Sequence, residues 1–429
     1  MKKIGLVSLG CAKNLVDSEN ILGLLDHEHY QITSSVQEAD IIIVNTCGFI
    51  ESSKKESIAT IFEMLSYGKK VVVTGCLVER YYHELKKDLP EVSLFIPISS
   101  YSHFNDLLAS IDDELTSRGG LNDEYRLLST GPVTAYLKIG EGCDNRCSYC
   151  AIPLIRGGFV SRPYKAIIKE ATQLAKQGIK EIVVLEQDTT KYGIDLSHGE
   201  NIISLLKGLL AVEGLSYIRL LYLYPDEITD DLIELIATEK RLTPYFDIPI
   251  QHSEDRLLQA MNRRGSKKDL INLFNKIRKR VPHAILRTTV MVGFPDETKE
   301  EFVALKDFIQ TMEFDHLGAF TYSREEGTSS YHFPHQISDK VKKQRLDEVM
   351  RLQQGISYRK NKQHIGEIMD GLIVGQEKEY YLFRSYWNAP DDVDGKIFAK
   401  SEKEYELGTE VQVRITEAFI YDLMGDILD

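Results

Sequence analysis

Nowhere in the 429 residues does an apolar run approach the roughly 20 residues of a membrane span. The opening Met-Lys-Lys-Ile-Gly-Leu-Val-Ser is also too short a run for a signal peptide and heads a strand instead. These absences predict a cytoplasmic chain with no membrane partner. A basic surplus is missing as well. Lys plus Arg number 52 against 65 Asp plus Glu, a net charge of −13, which argues against a chain built chiefly to coat nucleic acid. Cysteine is scarce: there are six, and a reducing compartment argues against pairing them as three disulfides. The remainder, 43% apolar and 27% charged, is ordinary globular protein. Its length suits about three domains.

What is present concentrates between Glu141 and Ile152, Glu-Gly-Cys-Asp-Asn-Arg-Cys-Ser-Tyr-Cys-Ala-Ile. Cys143, Cys147 and Cys150 stand in a C-x3-C-x2-C spacing. Three thiolates on one loop can hold three irons of a 4Fe–4S cube, leaving the fourth iron open to a small molecule. A cluster used only for electron transfer usually has all four corners tied, so an open corner suggests chemistry. Zinc is the alternative that a thiolate set allows. Zinc pairs are usually separated by a longer gap, and the tight trio favours iron–sulfur.

The other three cysteines share a different pattern. The runs Lys3–Gly10, Asp40–Thr46 and Lys69–Gly75 are short and apolar, and end at Cys11, Cys47 and Cys76. Continuous β-branched runs read as strands buried on both faces. Helices are expected over 18–26, 53–66 and 78–88, and alternating strand and helix implies a parallel sheet. All strand C-termini of such a sheet lie along one edge, where ligands bind. The three cysteines then form a second three-thiolate site assembled by the fold. The plainer reading is three unrelated buried thiols. From Tyr101 to Gly131 the chain turns polar, with Ser117-Arg118-Gly119-Gly120 in it, and reads as a covering helix and a linker.

Six further strands follow in series, near 135–139, 181–185, 217–222, 245–248, 284–292 and 315–320, each but the last leading into a helix. They predict a partial TIM-like (βα)6 barrel with working loops at the strand C-termini. Glu186–Thr190, Pro249–His252 and Gly293–Glu297 are such loops. Asp296 and Glu297 could instead be first-turn helix acids. His252 reads as a histidine packed against its own loop. An amphipathic helix over about 337–362 connects to short alternating runs after Gly366 that suggest a small β-barrel. The expected class is α/β, in three domains: 1–131, 132–365 and 366–429.

The cluster loop resembles the signature of radical S-adenosylmethionine (SAM) enzymes. Leu9–Glu19, Asn45–Ile50 and Gly75-Cys76-Leu77 resemble the methylthiotransferase family among them, and the resemblance covers nearly the whole chain. Lys13–Glu19 is similar to the branch that modifies a ribosomal protein, although Ala12 stands where that branch usually has Pro. The resemblance implies two 4Fe–4S clusters, one on Cys143, Cys147 and Cys150 and one on Cys11, Cys47 and Cys76. The first cleaves SAM to a 5′-deoxyadenosyl radical that takes a hydrogen atom from an unactivated carbon. The second delivers a methylated sulfur to it, so the clusters and SAM, not a side chain, carry the catalysis. Tyr149 matches a position packed near the cofactor, or simply covers the cluster from water. By position Gln187 and Asp188 would meet the SAM methionine or ribose, Arg287 the SAM carboxylate or a substrate acid, and Gly293 would let the backbone approach the adenosine. Tyr322–Thr328 matches the family's closing motif.

The C-terminal run resembles a TRAM domain, usually an RNA-binding module. After Gly366, however, fifteen Asp plus Glu stand against six Lys plus Arg, or 15 − 6 = 9 net negative charges. A nucleic-acid reader should be basic, whereas a basic protein is drawn in by such a field. An acidic surface kept for solubility is the bland alternative. For the ribosomal-protein branch the implied target is the β-carbon of an aspartate in small-subunit protein twelve, with RNA met only indirectly through the ribosome. The expected electron donor is a flavodoxin or ferredoxin, and the enzyme a monomer. A transfer-RNA methylthiotransferase and a two-cluster electron carrier are the alternatives.

Overall fold

The computed structural model describes residues 2–25, 30–112, 126–390 and 394–428. The linker expected at Ser117–Gly120 lies outside them. The chain divides into two compact units, one formed by 1–129, 140–160 and 323–331, the other by the rest.

The first unit is built on β1 (Lys2–Ser8), α1 (Ala12–Leu24), β2 (Tyr30–Thr33), β3 (Ile41–Thr46), α2 (Glu51–Ser66), β4 (Lys70–Gly75), α3 (Cys76–Asp88), β5 (Leu94–Ile96) and α4 (Phe104–Ala109). The strands pair in parallel in the order β2-β1-β3-β4-β5. Ile41, Ile42, Ile43 and Val44 of the central strand are almost wholly buried. Each such side chain stabilises the unit by roughly 1.5–3 kcal/mol relative to exposure. Two edge strands, β2 and β5, are additional to the three read from sequence. The helices also begin earlier than expected, at Ala12, Glu51 and Cys76.

The chain then passes through β6 (Thr134–Lys138), β7 (Gly140–Glu141), α5 (Ile152–Arg156) and β8 (Val160–Ser161). β6 belongs to the second unit, whereas β7 and α5, flanking the cysteine loop, belong to the first. The second unit continues with α6 (Tyr164–Lys176), β9 (Glu181–Leu185), α7 (Ile202–Leu210), β10 (Tyr217–Leu220), α8 (Asp230–Thr238), β11 (Tyr245–Asp247), α9 (Asp255–Ala260), α10 (Lys267–Arg280), β12 (Ile285–Val292), α11 (Lys299–Met312), β13 (His316–Thr321) and α12 (Asp339–Gln363). Its parallel strands form the runs β10-β9-β6 and β11-β12-β13. Ile218 and Leu242 bridge the two runs, giving the six-stranded partial barrel.

The last segment, β14 (Ile368–Glu377), β15 (Tyr380–Ser385), β16 (Ile397–Lys400), β17 (Glu410–Ala418) and β18 (Leu423–Ile427), closes in the order β14-β15-β16-β18-β17. Its core is shared with Tyr245 and Ile285, the first residues of β11 and β12. The small barrel therefore packs under the strand starts of the larger one and leaves the strand ends to loops.

Candidate functional site

Sheet register places the three N-terminal cysteines. Ser8 lies opposite Asn45, Asn45 opposite Thr74, and Thr46 opposite Gly75, so β1, β3 and β4 end level and Cys11, Cys47 and Cys76 leave from one edge. Their loops touch. A Cβ added at Gly10 (φ +90°) would lie 2.9 Å from the Cys47 Cβ, and one at Gly48 would lie 2.7 Å from the Leu77 Cα. Glycine is what lets these turns close on one another. Asn14 stitches them further, its Nδ2 donating 2.9 Å bonds to the carbonyls of Leu9 and Thr46. Cys11 precedes α1 and Cys76 opens α3, so two helix N-termini meet the trio. Each favours negative charge there by about 0.3–1 kcal/mol.

None of the six cysteines is in a disulfide. Burial pushes the Cys76 thiol up to about 11, against the opposing Arg156 guanidinium, and burial raises the Cys47 thiol too. Thiols held this way become thiolates when a metal displaces the proton. Among the described residues no three His, Cys, Asp or Glu side chains converge as ligands of one ion. A cube does not require that, because it takes each thiolate on a different iron.

The second trio sits in the same compact unit. The Cys150 amide donates to the Cys147 carbonyl at 3.0 Å, and the Cys143 amide to the Gly157 carbonyl at 3.2 Å. Tyr149 occupies the turn between Cys147 and Cys150 and is half-buried. A cavity of about 300 Å³ opens on this loop, lined by Asp144, Arg146, Cys147, Cys150, Leu154 and Thr328. Ala151 and Ile155 pack in one apolar cluster with Cys76. The residue after Cys150 therefore lies against the environment of the other trio.

Arg156, which sequence reasoning passed over, joins them. Its Nη2 donates to Asn14 Oδ1 at 2.6 Å and to the Cys76 sulfur at 3.3 Å; its Nη1 reaches Asp17 at 2.7 Å and Glu141 at 2.9 Å. Glu325 of the closing motif makes a second tie. It accepts from Lys54 at 3.0 Å, Arg80 at 2.7 Å and Ser323 at 2.6 Å, while Arg80 also donates to the Gly48 carbonyl beside Cys47. Burial works against the Glu325 carboxylate, but these donors hold it below the usual range.

In the second unit, Gln187 and Asp188 follow β9 as expected, Asp188 fully buried and accepting from the Thr190 hydroxyl. Gly293 takes φ +75° after β12, and its amide donates to the Glu297 carboxylate. What approaches Gly293 closely is the Lys342 side chain, 2.4 Å from where a Cβ would be. Asp296 and Glu297 precede the helix, which is capped by Thr298 with Glu301 in a capping box, so neither is a first-turn acid. Asp296 pairs with Arg256, and Glu297 lies 3.3 Å from His252 Nε2. His252 Nδ1 accepts from the Glu254 amide, the packing against its own loop expected of it.

Arg287 departs from its expected role. It is the third residue of β12, level with His316 at the start of β13, and so lies near the strand starts. Its Nη1 pairs with Asp247 at 2.7 Å and its Nε with Asp394 of the small barrel at 3.2 Å. Two carboxylates already answer its charge there, away from the strand-end loops. Tyr222 and Gln251, each just past a strand end, carry left-handed φ values of 60° and 68°. Strained backbone of this kind costs about 1–3 kcal/mol and clusters at functional sites. The buried Gln251 Oε1 has no hydrogen-bond partner among the described residues. A donor-bearing ligand at the strand ends fits it.

Comparison with known proteins agrees with this arrangement. Residues 3–97 match the family described as Uncharacterized protein family UPF0004, 137–309 the Radical SAM superfamily, and 365–428 the TRAM domain. The ribosomal protein uS12 methylthiotransferase RimO of Clostridioides difficile (strain 630) is 46% identical over 442 residues, covering 100% of this chain and 99% of its own. RimO of Aquifex aeolicus (strain VF5) is 46% identical over 429 residues, 99% of this chain and 96% of its own. The chain belongs to the RimO family. It is a radical SAM methylthiotransferase, and membership brings a 4Fe–4S cluster and SAM. The solved structure of the radical SAM methyltransferase TsrM from Kitasatospora setae superposes with a TM-score of 0.56 at 14% identity, covering 88% of this chain and 79% of that one. The cobalamin-dependent SAM radical enzyme OxsB gives 0.52 at 12% identity, covering 82% and 56%. At these identities both show the fold.

Proposed function

We propose that this enzyme adds a methylthio group to the β-carbon of an aspartate in ribosomal protein uS12. One observation carries the reading: relatives named for that activity align over essentially the whole chain. In this reading Cys143, Cys147 and Cys150 hold the cluster that binds SAM, and Cys11, Cys47 and Cys76 hold a second 4Fe–4S cluster. Bound together, the clusters and SAM supply the hydrogen-atom abstraction and the sulfur. The chain's own work is placement. The strand-end loops around Gln187, Asp188, Gln251 and Gly293 orient SAM, and Tyr149 shields the loop cluster. The gathering of both trios in one unit supports transfer between them over a short path. Residues 1–131, 132–365 and 366–429 are the three domains of this reading, and the acidic last one favours a basic protein over RNA. A flavodoxin or ferredoxin supplies electrons to what acts as a monomer in the cytoplasm.

Mass spectrometry of uS12 from a strain lacking this gene is expected to show one methylthio group missing. An unchanged uS12 mass, with hypomodified adenosine in transfer RNA, would replace this reading by the transfer-RNA one. A reduced, iron-loaded protein that forms no 5′-deoxyadenosine from SAM would leave only an electron carrier.

A further inference from the structure

We propose that Arg156 is a positioning residue that raises the reduction potential of the N-terminal cluster by donating to the Cys76 sulfur, while anchoring the loop of the other trio beside it. The inference rests on the reading that Cys11, Cys47 and Cys76 hold a cluster. Arg156 ends the short helix immediately after Cys150, six residues from it, yet its guanidinium is buried among residues of the N-terminal sheet edge: its side chain is 2% exposed. A buried guanidinium is costly unless nearly every N–H finds an acceptor. Here Asp17, Glu141, Asn14 Oδ1 and the Cys76 sulfur provide them. Geometric alternatives for a purely structural strut would have ended on carboxylates and carbonyls. This one ends on a ligand atom.

The sign follows from charge. Reducing a cube by one electron, supplied in a titration by an external reductant, adds one negative charge to the cluster with no proton required. Hydrogen bonds to cluster sulfurs and nearby positive charge favour the more reduced form. Asp17, 5% exposed and 2.7 Å from Nη1, partly balances the cation and fixes its orientation. Removing Arg156 should therefore lower the midpoint potential, and neutralising Asp17 should raise it.

The test uses the full chain with Cys143→Ala, Cys147→Ala and Cys150→Ala, reconstituted with iron and sulfide so that only the N-terminal cluster forms, and a potentiometric titration read by electron paramagnetic resonance. In that background Arg156→Gln is expected to move the midpoint to more negative potential, Arg156→Lys to recover part of the change, and Asp17→Asn to move it to more positive potential. Opposite movement of the Gln and Asn variants is the signature, because a packing defect would disturb both alike. An unchanged midpoint in Arg156→Gln, or movement of both in one direction, overturns the proposal. If Arg156→Gln does not fold, as judged by circular dichroism, the Asp17→Asn and Arg156→Lys shifts decide alone: no shift, or the wrong sign in Asp17→Asn, overturns it. A parent that binds no iron refutes the second cluster itself, a separate result.

Discussion

At the scale of single residues, the six cysteines divide, in the proposed reading, into two chemically distinct duties, and variants should separate them. Cys147→Ala removes a corner from the SAM-binding cluster, so both 5′-deoxyadenosine formation and methylthio transfer should fall to background. Cys76→Ala leaves that cluster intact, so SAM cleavage should persist while methylthio transfer disappears. Iron analysis of either variant should drop from about eight to about four per chain, as expected for one cube lost of two. Equal loss of SAM cleavage in both variants would contradict the division. The cysteines were legible because thiolate spacing within a loop, and strand ends along a sheet, are local patterns. Arg156 was not. Its acceptors Asp17 and Asn14 lie 139 and 142 positions away in the chain, and no local rule links them. Arg287 stands near the start of the strand expected over 284–292, so chain direction alone sets it away from the strand-end loops; what the sequence hid is its partners, Asp247 and Asp394.

At the scale of elements, the partly buried Arg287 near the start of β12 belongs to the joint between the two barrels of the second unit. Asp394 accepts from Arg287 and from the Tyr245 hydroxyl, and its carboxylate also takes the Ala389 amide. Burial alone would push the Asp394 carboxyl up; His316, Arg287 and these hydrogen bonds outweigh it and hold it below the usual range. A carboxyl whose folded pKa is depressed stabilises the fold above its unfolded value, near 3.9, and loses that contribution as pH falls through the folded value. Asp394→Asn should therefore cost about 3–5 kcal/mol at pH 7, because it strips one partner from a buried pair. The gap to the native chain should narrow as pH drops below about 4, a trend urea melts can follow. A gap that stays constant with pH would argue against an ionised Asp394. The joint itself was invisible in sequence, although four of the five strands beyond Gly366 were read from their alternation. Strands β2 and β5 escaped because three or four residues carry too little periodicity, and the early helix starts escaped because Cys11 and Gly75 offer no side-chain cap.

At the scale of the whole molecule, the relevant quantity is the −9 carried after Gly366. Glu402, Glu404 and Glu406 are exposed on the connection between β16 and β17, so changing them tests the field without touching the core. Glu402→Lys, Glu404→Lys and Glu406→Lys together replace three negative charges by three positive ones, and the domain goes from −9 to −3. If a basic protein is the substrate, attraction during encounter weakens, and kcat/KM for uS12 should fall on the order of tenfold at low salt. The defect should appear in KM, with kcat unchanged, since the six cysteines and the strand-end loops lie on other elements. Raising salt from 0.01 to 0.15 M shortens the screening length from about 30 to about 8 Å. The native enzyme should therefore lose activity with salt more steeply than the variant, until the two converge. The sign of the change is what discriminates. An RNA substrate would be repelled by the native domain, so these lysines would lower KM rather than raise it.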